Sequence, residues 1–150
     1  MSTLYVDTIN EKTSGNGVYI PGHVVQIVKD TLSSNFESTS TSNVDTGMSV
    51  TVTPKGSNSQ FVVHCYHNYE GNGPNIYTVI RKDGTQIFES YWQASSGKNP
   101  STEMTTFTIS SSASFTIDVY TRLSAATSGN RWHSSGTDRI ATLLVMEIAQ

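Results

Sequence analysis

Charge is the scarcest property of this chain. Only 14% of its 150 residues are Asp, Glu, Lys or Arg, against about 25% in an ordinary globular domain. Long surface helices need those residues together with Ala and Leu, so a helical architecture is excluded first. Cysteine is nearly absent. Cys65 stands alone, and an internal disulfide cannot form. No apolar run approaches the ~20 residues of a membrane-spanning helix, and no heptad or Gly-every-third repeat exists. The net charge of −3 leaves no basic surplus, which removes the electrostatic footprint of a nucleic-acid binder. A secretory signal is missing from the opening stretch, where Asp7 and Glu11 fall in place of an apolar core. Synthesis in a cytoplasm is the expectation. The length suits one domain with a short arm.

Hydroxyl groups fill the space that charge leaves: 42 of the 150 residues are Ser or Thr. Set among them are short β-branched runs. Met48, Val50 and Val52 alternate with polar neighbours and stop at Pro54; Phe115, Ile117 and Val119 do the same. Residues 61–66 read as a mostly buried strand and 104–109 as another. Residues 76–81 and 85–91 flank Lys82-Asp83-Gly84, a hairpin with Asp-Gly at the bend. With 23–28 and 140–148, about eight strands follow one another at short intervals. The expected fold is an all-β, jelly-roll-like antiparallel β-sandwich over residues 23–150.

Residues 1–22 form a separate unit. Leu4, Tyr5, Val6 and Ile9 precede an Asn16-Gly17 turn; Val18 and Ile20 follow it, and Pro21-Gly22 closes the segment. A lone two-stranded hairpin is marginal in water. An extended N-terminal β-arm that docks on something larger is therefore expected.

The run 140–148 shows little alternation, so both sides of that strand require cover. One side belongs to the core. For the other, a second copy of the chain is the expected source, with Leu143, Leu144, Val145 and Met146 as the candidate subunit interface; a covering loop of the same chain is the competing reading.

Reactive chemistry is sparse. His64, Cys65 and His67 cluster in sequence, but only Cys65 and His67 share a strand face, and zinc wants three or four ligands. A core cysteine with flanking histidines is the better reading, and no metal or cofactor is expected. Serine is too abundant for a Ser-His-Asp match to mean anything, and no Gly-x-Ser-x-Gly elbow occurs. No enzymatic activity is expected. The aromatic residues are more suggestive. Trp132 sits between Arg131 and His133 in an otherwise Ser/Gly-rich stretch, 124–137, and Trp92 ends a strand. Flat rings on loops stack on sugars or anchor interfaces. Trp92, Arg131, Trp132 and His133 are the candidate receptor or glycan contacts; the competing reading is a plug folded over the sandwich end.

Several segments carry a resemblance: STLYVDTI (2–9), KTSGNGV (12–18), IPGHVVQ (20–26), STSNVDTGMSVTVTP (40–54), RKDGT (81–85) and MEI (146–148). Together they resemble tail-fibre-type and other virion structural proteins of tailed bacteriophages, notably phages of marine bacteria and cyanobacteria. The resemblance is a pattern of many weak residues over most of the chain. It implies a non-enzymatic, homotrimeric appendage in the virion, its arm attached to other virion proteins of tail or capsid and its sandwich turned to a host surface glycan or protein. Phage fibres usually carry long shafts, and this chain has none. A capsid decoration protein that cements the shell stays open as the alternative, and a polysaccharide-degrading enzyme as a more distant one. Neither nucleic acid nor membrane insertion is implied.

Overall fold

A computed structural model describes residues 8, 10, 20–71, 73–93, 98–126, 131–133 and 140–150. Among them every regular element is a strand. In chain order these are β1 (Val24–Leu32), β2 (Phe36–Glu37), β3 (Val44–Val52), β4 (Ser59–Glu70), β5 (Ile76–Lys82), β6 (Thr85–Trp92), β7 (Lys98–Ile109), β8 (Phe115–Leu123), β9 (Arg131–His133) and β10 (Ala141–Ala149). All pairings are antiparallel, and the strands divide into two sheets. One runs β1-β10-β4-β7, with β9 and β2 continuing it past the ends of β10 and β1. The other runs β3-β8-β5-β6. The all-β sandwich expected from alternation is the fold.

Period two explains the core. In β3, β8 and β10 every second residue is buried. Met48, Val50, Phe61, Val63, Ile80, Phe115, Ile117, Leu143 and Val145 meet between the sheets. Phe61 stacks on Phe107 and meets Phe115 edge-on at 5.0 Å. Burial of a side chain of this size stabilises by about 1.5–3 kcal/mol. The β5–β6 hairpin turns at Asp83 (φ 49°) and Gly84 (φ 79°), the two positive values a two-residue type I′ bend needs. Its tip is then tied to β8, where the Thr116 amide donates to Asp83 Oδ1 at 2.9 Å.

One polar side chain organises the same end in the other sheet. Glu147 of β10 points inward and is fully buried. The amides of Lys55 and Gly56 and the hydroxyl of Ser59 donate to it at 2.7–3.0 Å, and the Gln26 amide adds a further bond. A buried carboxylate is tolerable only when hydrogen bonded in this way. The effect is to pin the β3–β4 turn against β1 and β10.

Candidate functional site

Residue by residue, the structure rearranges the expected site. Trp132 is only 1% exposed, and His133 is fully buried. Neither can meet a receptor. The reason is pairing: 131–133 is not loop but β9, held by β2 on one side and by the end of β4 on the other, with Glu70 opposite Arg131. In this arrangement the Trp132 side chain packs inside the sandwich. The Arg131 side chain lies outside the described residues. Trp92 keeps partial exposure and stacks on Tyr69 at 6.2 Å, 15° between planes.

Around Trp132 a closed polar network joins the sheets. The Trp132 carbonyl can only accept, so His67 Nδ1 carries the proton it shares with that oxygen at 3.2 Å. In a neutral ring Nε2 then accepts, and it does so from the Thr78 hydroxyl at 3.0 Å. Thr78 Oγ1 in turn accepts from the Trp132 indole N–H at 2.8 Å and from the Tyr69 hydroxyl at 2.6 Å. The Trp132 and His67 rings stack at 4.2 Å. Burial holds the His67 pKa below its ordinary value, although the Glu103 carboxylate 3.7 Å away pulls the other way. Glu103 responds oppositely. Burial raises its pKa, but the His67 ring, once protonated, and the Ser101 hydroxyl outweigh that and bring it down to about 2. The Ser101 hydroxyl donates at 2.7 Å. Cys65, facing Glu103 across β4 and β7, has its thiol pushed far up, first by burial and then by that carboxylate.

Thr78 and His67 have the spacing of a nucleophile and its base. Both are fully buried, so no substrate atom can reach them in this arrangement. The network satisfies its polar atoms by crossing from β4 and β9 to β5. A satisfied buried network of this kind fixes which strands face each other. Among the described residues no group of three His, Cys, Asp or Glu could hold a metal ion.

The candidate interface residues divide by phase. Leu143 and Val145 lie fully in the core, opposite Cys65 and Val63 of β4. As interface residues they are corrected: the sheet's inner side has them. Leu144 and Met146 point outward, half-buried, opposite His64 and Val62. Around them the registers build an apolar outer face. One cross-strand row reads Ile27–Met146–Val62–Thr106, and the next Lys29–Leu144–His64–Met104. Ile27 is 57% exposed and Met104 62%.

Of the candidate arm residues, Leu4, Tyr5, Val6, Ile9 and Val18 lie outside the described residues. Ile20 is half-buried, and its carbonyl accepts from the His23 amide at 3.0 Å. The Gly22 amide donates to the Ala149 carbonyl at 2.7 Å, so the chain enters β1 clamped to the end of β10.

Sequence reasoning missed the Glu147 cradle and the His67–Thr78–Trp132 bridge. A signal for the first was available, in a lone acid inside an apolar run. For the second there was none, since its members come from β4, β5 and β9. No protein-family model matches the chain, and no curated protein matches it.

Proposed function

We propose that this chain is a non-enzymatic structural protein of a bacteriophage virion: a short tail-fibre-like appendage whose jelly-roll sandwiches associate as a trimer and whose N-terminal arm docks on the particle. The observation that carries the reading is the apolar outer face of β1-β10-β4-β7. Ile27, Met146, Val62, Leu144 and Met104 form contiguous rows there, and the titratable groups within those rows are Lys29 and His64. Contiguous exposed apolar area of this kind marks an interaction surface. A closed trimer would bury the same patch on each copy by rotation about one axis. The nested pairs β1·β10, β3·β8, β4·β7 and β5·β6 support reading the sandwich as a jelly roll. The segments resembling phage virion proteins supply the particle, and the arm supplies the attachment.

Sedimentation of the full chain tests the association. The expected species has three times the chain mass, and a stable monomer would end the reading. Attachment is tested by a chain lacking residues 1–19, cut ahead of the Ile20–His23 turn. It should still trimerise but no longer enter virions. Incorporation at the full level would show that the arm is not the anchor.

A further inference from the structure

The second sheet presents a different outer surface, built of planes rather than aliphatic chains. Its cross-strand rows are Tyr91–Tyr77–Arg122, Glu89–Val79–Tyr120–Asp45 and Gln86–Arg81–Asp118–Ser49. Within them the flat groups lie on one another. The Arg122 guanidinium sits 3.7 Å from the centroid of the Tyr77 ring, and Arg81 sits 4.3 Å from that of Tyr120. Tyr77 and Tyr91 meet at 5.6 Å. Arg122 Nη2 also donates to Glu89 Oε1 at 2.9 Å, and the Ser49 hydroxyl donates to Asp118 Oδ1 at 2.7 Å. Val79 lies on this outward side and is nevertheless fully buried. The surrounding planes therefore close over it as a continuous layer.

We propose that this layer, centred on Tyr91, Tyr77, Arg122, Glu89, Tyr120 and Arg81, is a binding platform for a neutral hexopyranose glycan. The chemistry fits in three ways. A pyranose offers one flat C–H face, which stacks on an aromatic ring as an apolar surface does. Tyr91 presents such a ring at the edge strand and is 62% exposed. Sugar hydroxyls both donate and accept, and Arg122 beside Glu89 supplies a fixed donor next to a fixed acceptor. The stacked guanidiniums are already ordered, so little side-chain freedom is lost on binding. Charge selects the class of ligand. Two arginines face three carboxylates, those of Glu89, Asp118 and Asp45. Such a surface offers a polyanion no attraction and leaves a neutral polymer unopposed. The inference rests on the host-facing reading above for its use, while the binding itself is a property of the purified chain.

An array of neutral hexose oligosaccharides, with polyuronates as the anionic comparison, tests it on the full-length protein. At least one neutral glycan should bind, with an affinity that added salt leaves unchanged. Tyr91→Ala should weaken that binding about tenfold, the worth of one stacked ring. Arg122→Lys keeps the charge but loses the plane and should weaken it similarly, while both variants melt like the wild type. Absence of binding to every neutral glycan would overturn the proposal. So would binding to polyuronates alone, or variants that bind unchanged. Sedimentation of the same sample separates the two readings. A monomer that binds glycan removes the trimer and leaves the platform standing, whereas a trimer that binds none does the reverse.

Discussion

The indole N–H of Trp132, on β9, donates to the hydroxyl of Thr78, on β5, at 2.8 Å, and the bond runs from one sheet to the other. Residues 54 positions apart thus lock the open end of the sandwich. Trp132→Ala should lower stability by about 3–5 kcal/mol, the usual loss for a large buried ring. Trp132→Phe retains most of the volume but leaves Thr78 short of a donor and should fall between. Urea unfolding followed by circular dichroism measures both. A Trp132→Ala protein with the wild-type midpoint would show that the ring is not holding the sheets.

Acid should weaken the fold in two stages. His67 has a folded pKa below its ordinary 6.5, because burial disfavours the imidazolium. Glu147 and Glu103 both titrate below the ordinary 4.5. At each, burial opposes the ion but its neighbours outweigh it: the hydrogen bonds of the Lys55 and Gly56 amides with Ser59 and Gln26 at Glu147, and at Glu103 the His67 ring once it is protonated, together with the Ser101 hydroxyl. In all three cases the unfolded chain binds the proton more readily. The stabilisation is therefore complete above the unfolded pKa and is lost as pH falls through the folded one. Urea midpoints should be flat above about pH 7, begin to drop below 6.5, and drop further between 4.5 and about 2. Glu147→Gln should flatten part of the lower stage. Midpoints that rise on acidification would contradict this account.

Leu143 and Leu144 are neighbours in sequence and opposites in space. Leu143→Asp places a charge among Val63, Cys65 and the other core residues and should prevent folding. Met146→Asp, on the outer face with Leu144, should leave the sandwich folded and reduce the proposed trimer to monomers. Light scattering and circular dichroism read the two effects separately. A folded trimer carrying Met146→Asp would move the interface elsewhere.

Cys65 is fully buried, and its thiol pKa is raised by desolvation and by Glu103. A thiol reagent needs the thiolate and access to it. Labelling should therefore follow global unfolding, accelerating with urea in step with the loss of structure. Rapid labelling of the native protein would mean that the β4–β7 region opens locally.

Much of the fold was legible because its signals are local. Alternation at 48–53 and 115–120 and the Asp83-Gly84 bend predict β3, β8 and the β5–β6 hairpin without reference to the rest of the chain. Where alternation fails, the sequence goes silent. The run 140–148 is apolar at almost every position, so nothing within it distinguishes Leu143 from Leu144. Phase came from register against β4, which sets Leu143 beside buried Cys65 and Leu144 beside outward His64. Trp132 misled for a related reason. Ser and Gly surround it, and a three-residue strand between such neighbours reads as loop until its partners at Phe36 and Glu70 are known.

Composition and period two by themselves determined an all-β chain with a buried thiol, because hydrogen-bonding strands are what Ser, Thr and β-branched residues sustain without charge. Only the tertiary structure decided which side chains share a face. The Trp132 bridge, the Glu147 cradle and the tyrosine–arginine layer each assemble residues from strands far apart in sequence. Their chemistry exists only once pairing has fixed the register, and no local pattern encodes that.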